Sequence, residues 1–334
     1  MTEGPGWAAP DPQQPPAYQP APMPPPPPTG WGVPKPGVIP LRPLGLGEIL
    51  DGAISTMRAY PRVILGVSAI VVTVSQLLTT FATAPLLDDA NRAAKLGRAA
   101  TNEDALHSLG ANAEILGIIL LIALPVRVFL AGFLTIAVGK AVLGQPVTFA
   151  EIWTRVRPRL GALLGLTLVI PAIAAAAAVV AVFVAVLSEG LGLLLAIAML
   201  IAGIWLYILF SLATPALMLE NAGIGRAFGR SRTLVTGSWW RIFGITLLAI
   251  IIVSIVAGII GVPFTYLGGV GIGEPAEATF RYLALTTVGG IIASTLTEPF
   301  LAGVSVLLYT DQRMRREGMD IELAQAAGVP PREQ

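Results

Sequence analysis

Three times along the chain a short amphipathic stretch runs directly into a long apolar one. In the last, a helical reading puts Ile224, Ala227, Phe228, Leu234 and Val235 on one face. Arg226, Arg230, Arg232 and Thr233 fall on the other. Such a helix suits the plane of a membrane, with its apolar face in the acyl boundary and its basic face toward anionic head groups. Trp239 and Trp240 follow where aromatic rings favour the interface, and Arg241 marks the cytoplasmic side. The first stretch starts at Leu46, with Leu46, Ile49, Leu50, Ala53 and Met57 along one face and Glu48, Asp51, Ser55 and Arg58 opposite. The second, residues 149–159, repeats that spacing through Phe149, Ile152, Trp153 and Val156, and Glu151 stands where Glu48 does.

Crossing a hydrocarbon core takes about 20 residues at about 1.5 Å each. Six runs meet that length: 63–83, 115–138 (interrupted by Pro125 and Arg127), 160–187, 191–212, 242–262 and 283–308. The predicted fold is an all-α integral membrane protein. Its six transmembrane helices form three hairpins, each preceded by an amphipathic interface helix, over residues 46–138, 149–212 and 224–308. The shared Pro61-Arg62, Pro158-Arg159 and Trp240-Arg241 pairs favour repetition over convergence. Leu86 to Glu114 reads as a polar loop, Ser188-Glu189-Gly190 as a tight turn, and the Gly-rich stretch with Glu274 and Glu277 as an outer loop. Lys and Arg number sixteen in the segments assigned to the inside and four in the outer loops, which predicts both termini in the cytoplasm.

Composition narrows the class. The chain is 54% hydrophobic and only 12% charged, with a mean hydropathy of +0.76, too apolar for a soluble protein. A net charge of +1 leaves no nucleic-acid footprint. Without cysteine there are no disulfides, thiol nucleophiles or thiolate metal sites. One histidine, His107, cannot build a metal site alone and reads as a solvated loop side chain. Scarce lysine against abundant Arg, Ala and Gly fits a GC-rich bacterial genome, so the expected location is the bacterial cytoplasmic membrane. Fifteen of the 28 prolines lie in residues 1–40, predicting an extended, disordered cytoplasmic tail with no secretory signal. That tail can offer a Pro-rich ligand to a protein partner. A membrane domain over 41–312 and a basic, then polar, cytoplasmic tail over 313–334 complete the organisation.

Two sets of residues carry candidate chemistry. The expected lipid head-group and interface residues are Arg58, Arg62, Arg155, Arg157, Arg159, Arg226, Arg230, Arg232, Trp239, Trp240 and Arg241, with anionic lipid as partner. The second set is an intramembrane polar pair, Arg127 and Glu298, on spans running in the same direction at similar depth. A charge near the bilayer centre costs at least about 2.5–3.5 kcal/mol on insertion scales, so the two are expected to pair inside the bundle. Asp88 and Asp89 are adjacent and diverge on a helix, and Glu274 and Glu277 lie in a Gly-Pro loop. No Gly-x-Ser-x-Gly, His-Glu-x-x-His or Walker pattern occurs, and no cofactor or metal is expected.

The opening stretch Leu41-Arg-Pro-Leu-Gly-Leu-Gly-Glu-Ile-Leu-Asp-Gly-Ala-Ile54 resembles the start of actinobacterial multi-pass proteins named for the membrane domain of glycerophosphoryl diester phosphodiesterases. Residues 215–241 are similar too, as is the run Leu308-Tyr-Thr-Asp-Gln-Arg-Met-Arg-Arg-Glu-Gly-Met-Asp-Ile-Glu-Leu323. Its Tyr-x-Asp-x-Arg-x-Arg-x-Glu-Gly-x-Asp pattern is the most specific part. In fused members hydrolysis belongs to a separate soluble barrel, where His and acidic residues act with a divalent metal. The resemblance here covers the membrane part, residues 41–323, so it implies fold and location and no phosphodiesterase activity. Three functions fit the sequence. They are a non-catalytic scaffold that organises partners or lipid, a small transporter or lipid-handling protein working through Arg127 and Glu298, and an intramembrane enzyme using those same charges. The scaffold is the expected one.

Overall fold

A computed structural model describes residues 38–40, 42–86, 102–169, 172, 189–269 and 279–318. The described residues are helical and contain no strand. Among the described residues five segments are long and apolar enough to cross a membrane: Pro61–Leu86, Glu114–Val142, Ile197–Leu219, Trp239–Leu267 and Phe280–Glu317. Of the predicted third span, 160–187, residues 160–169 and 172 are helical, and the rest falls outside the described residues. So do Asp88, Asp89, Glu274, Glu277, most of the Pro-rich tail and the chain beyond 318.

In order, the helices are α1 (Leu46–Ala59), α2 (Pro61–Thr83), α3 (Asn102–Val142), α4 (Phe149–Val156), α5 (Glu189–Phe210), α6 (Ala213–Leu219), α7 (Ile224–Val235), α8 (Trp239–Leu267) and α9 (Phe280–Glu317). Pro61 starts α2 at its first turn, where a missing N–H costs nothing. Thr279 caps α9, its side chain accepting from the Tyr282 amide. At the other end Gly318 takes φ 65°, the left-handed conformation that ends helices.

Several boundaries differ from the sequence reading. The predicted polar loop is helical from Asn102 onward, so His107 lies in a helix and not in a loop. Pro125 and Arg127 do not interrupt the second span, because α3 continues through both to Val142. A proline removes one backbone hydrogen bond, and the adjoining turns still carry the helix. The predicted tail at 313 starts four residues before α9 ends, so Arg313, Arg315 and Arg316 belong to the folded bundle.

The core sits around α9, against which α1, α2, α3, α6, α7 and α8 all pack. Its C-terminal half is almost wholly buried, from Val306 through Gln312. α1 crosses it where small residues meet. A Cβ at Gly303 would stand 2.9 Å from the Ala53 Cβ, and one at Gly52 would stand 2.9 Å from Leu307 and Ile39 atoms. Small residues at such crossings let two backbones approach and gain dispersion contact, the usual driving force where lipid removes the hydrophobic one.

The amphipathic helices therefore spend much of their apolar face on protein. α1 buries Ile49, Gly52, Ala53 and Thr56, while Leu46 is left exposed. α4 buries Ile152 and Val156 and packs on α3. α7 buries Ala227, Ser231, Leu234 and Val235, with the Ser231 hydroxyl donating to the Leu209 carbonyl at 2.8 Å.

Candidate functional site: a charged clasp at one end of the bundle

The last three turns of α9 present charged residues at four-residue spacing, which puts each pair on one face. Asp311 and Arg315 form one pair, Arg313 and Glu317 another. Asp311 is fully buried and is the centre of the first cluster. It accepts from the Leu44 amide at 2.8 Å and from Arg315 Nε at 2.9 and 3.1 Å, and it pairs with Arg241 from the first turn of α8. Both arginines then donate to the Leu44 carbonyl, Arg241 at 2.8 Å and Arg315 at 2.9 Å. Leu44, just ahead of α1, is thus held at both its N–H and its C=O by side chains of α8 and α9.

A second cluster lies beside it. Arg230 of α7 donates to Glu220 at 2.7 and 3.0 Å and to Glu317 at 2.6 Å. Glu317 also accepts from Arg313 at 2.9 Å, and the Tyr309 hydroxyl donates to Glu220. The Arg313 guanidinium lies 5.9 Å from the centre of the Tyr309 ring, within cation–π range. Burial disfavours the charge on Arg230, yet its hydrogen bonds to Glu317 and Glu220 outweigh that and raise its pKa above the ordinary value. Arg316 donates to the Thr233 carbonyl at 2.6 Å and to the Thr236 carbonyl, closing the end of α7 over α9.

A third pairing fixes α4. Lys140, nearly fully buried near the end of α3, pairs with Glu151, which also accepts from Arg155 at 3.1 Å. The Lys140 hydrogen bond holds the Glu151 carboxyl below its ordinary pKa, against a smaller upward push from burial. Arg159 donates to the Leu217 carbonyl at 3.0 Å.

The predicted head-group residues accordingly split. Arg230, Arg241, Arg155 and Arg159 have protein partners and act as fasteners. For Arg230 the reason is its place in α7: three residues after Ala227 and four before Leu234, it borders the buried stripe and not the solvated face. Arg58, Arg62, Arg157, Arg226 and Arg232 are exposed and have no carboxylate partner among the described residues. Trp240 is exposed, whereas the Trp239 indole N–H donates to the Trp205 carbonyl at 3.3 Å and its ring stacks on Phe243.

Arg127 and Glu298 do come together, with 3.8 Å between Arg127 Nη2 and Glu298 Oε1. The expectation that they face the bundle interior is corrected. The Arg127 side chain is 75% exposed and that of Glu298 33%, so the pair sits on the periphery. Val128 and Leu130 are the buried residues of that turn, and Arg127 just before them is exposed.

Residues 44–312 match the family model of a domain of unknown function, DUF7847. The chain belongs to that family. No curated protein and no solved structure matches it. Within the DUF7847 match lie Leu44, Glu220, Arg230, Arg241 and Asp311, while Arg313, Arg315 and Glu317 follow just past its end on the same helix. Glu220, Tyr309, Asp311, Glu317, Lys140 and Glu151 are the residues sequence reasoning did not single out as a site. The signal for α9 was there in the Tyr309, Asp311, Arg313, Arg315, Glu317 alternation, whose members pair at i, i+4. Their partners Leu44, Glu220, Arg230 and Arg241 come from far along the chain and left no local trace. Among the described residues no group of three or more His, Cys, Asp or Glu could hold a metal ion.

Proposed function

We propose that this chain is a non-catalytic scaffold of the bacterial cytoplasmic membrane that organises anionic lipid, or a protein partner, at its clasped end. The observation that carries the reading is the imbalance of free charge there. Arg58, Arg62, Arg157, Arg226 and Arg232 are exposed without carboxylate partners among the described residues, whereas Glu151, Glu220, Asp311 and Glu317 are already occupied by cations. Among the described carboxylates of α1, α4, α7 and the end of α9, only Asp51 lacks one. Five unspent guanidinium groups beside membrane-length helices suit phosphate head groups, each adding about 1 kcal/mol of attraction near an anionic surface. On this reading the clasped end faces the cytoplasm, and the Pro-rich tail is the segment that a protein partner binds.

The test is flotation of the purified full chain with vesicles of phosphatidylglycerol or phosphatidylcholine. Replacing Arg157, Arg226 and Arg232 together by Gln should weaken the preference for phosphatidylglycerol steeply. Equal preference in wild type and variant sinks the lipid part of the proposal. A runner-up reading, a transporter or lipid-handling protein working through Arg127 and Glu298, draws on their 3.8 Å pairing.

A further inference from the structure

Between α1, the start of α2 and the middle of α8 and α9 runs a groove of about 560 Å³. Its walls are hydrocarbon, with Met57 and Leu65 on one side, Ile252 and Val256 on another, and Leu296 and Phe300 on a third. One lining residue is charged, Arg58, on the last turn of α1. Arg58 is exposed and has no carboxylate partner among the described residues, and Arg62, four residues on, is in the same condition. The groove is therefore apolar along its length and cationic at one end.

Depth along the helices gives it a direction. Arg58 and Pro61 mark the turn where α1 gives way to the membrane-length α2, level with the end of α3, where the Tyr60 hydroxyl donates to the Gln145 carbonyl at 3.4 Å. Leu296 is seven residues from the α1 crossing at Gly303, about 10 Å further along α9 at helical rise. Ile252 and Val256 stand 13 and 17 residues past Trp239, about 20–25 Å up α8. The cationic end lies at the membrane boundary and the apolar walls reach into the hydrocarbon.

Size selects the occupant. This volume would enclose a helix about 10 Å across over only about 7 Å, some five residues, so the groove suits a single thin hydrocarbon chain better than a second copy or a partner helix. A neutral chain would fill the apolar walls and leave Arg58 uncompensated. We infer that the groove holds one acyl chain of an anionic phospholipid, with the lipid phosphate on the Arg58 guanidinium and Arg62 beside it. A guanidinium offers phosphate two parallel N–H donors, and burying methylene groups supplies the rest of the affinity. This rests on the lipid-organising reading above and narrows it to one site and one class of lipid.

The experiment is native mass spectrometry of the full chain in mild detergent, given equimolar dioleoyl-phosphatidylglycerol and dioleoyl-phosphatidylcholine. Wild type should retain phosphatidylglycerol preferentially as a one-lipid adduct. Arg58→Gln should reduce that preference about fivefold, the loss of one surface-proximal arginine, and Arg58→Lys should keep most of it. Val256→Trp, which fills the groove, should remove the one-lipid adduct of either class while leaving vesicle flotation unchanged. Should Val256→Trp lose its folded elution profile, Leu65→Trp fills the facing wall, with the same loss expected. An unchanged phosphatidylglycerol preference in Arg58→Gln, or an unchanged adduct in the folded groove-filling variant, overturns the inference. Flotation separates the two proposals. The groove fails alone if the adduct results go against it while the Arg157, Arg226 and Arg232 triple variant still loses vesicle preference.

Discussion

Removing the Asp311 carboxylate should loosen the root of α1 more than any other single change at the clasped end. The side chain is fully buried and receives the Leu44 amide at 2.8 Å and two guanidinium groups. In Asp311→Ala the Leu44 N–H loses a charged acceptor, worth about 1.5–3 kcal/mol. The arginines add less. The Arg241 and Arg315 side chains are 31% and 38% exposed, so solvent screens them and each lost pair is worth at most about 1 kcal/mol. Together these give a loss of about 1.5–5 kcal/mol. Asp311→Asn keeps an oxygen for the amide and loses only the charge, so about half of that loss is expected. The measurement is the thermal midpoint of the full chain in detergent, together with hydrogen exchange at the Leu44 amide. Faster exchange at Leu44 in the Ala variant, with a smaller change in the Asn variant, is the expected ordering. If both variants match wild type in midpoint and exchange, the clasp does not hold α1 and the reasoning fails.

Acid should release α4. Glu151 has a folded pKa below its ordinary value of about 4.3, so its pairing with Lys140 contributes fully above that pH and is lost as pH falls through the folded value. Plotted against pH, the midpoint advantage of wild type over Glu151→Gln should be flat at neutral pH and vanish in acid. An advantage that persists below the carboxylate range rules out the ion pair as its source. For Arg127 and Glu298, a double-mutant cycle with Leu at each position should give a coupling of about 1 kcal/mol or less, because the pair is 3.8 Å apart and peripheral. A coupling of several kcal/mol would mean that the pair is enclosed in the membrane-embedded protein. Reporter fusions after Gly223 and Gly318 should both read cytoplasmic, and an external signal at either one contradicts the proposed orientation.

The sequence by itself determined where five of the described helices begin and their order. α1, α4 and α7 begin at Leu46, Phe149 and Ile224, where 3.6-residue periodicity starts, and α2 and α8 follow from apolar runs entered through Pro61-Arg62 and Trp239-Trp240-Arg241. Those signals are local, since one turn of helix is enough to make a face. What faces meet is not local. Whether the apolar side of α7 meets lipid or α5 and α6 depends on elements tens of residues away, and tertiary packing assigned much of it to protein. The same holds for charge. An exposed arginine and a fastened one look alike in sequence, so Arg226 and Arg230 read as equals until Glu220 and Glu317 were brought to one of them. The acidic and basic residues of α9 were legible as i, i+4 pairs within their helix. Only the fold could add Leu44 and Arg241, 267 and 70 residues distant from Asp311, because a hydrogen bond is selected by distance in space and leaves no period along the chain.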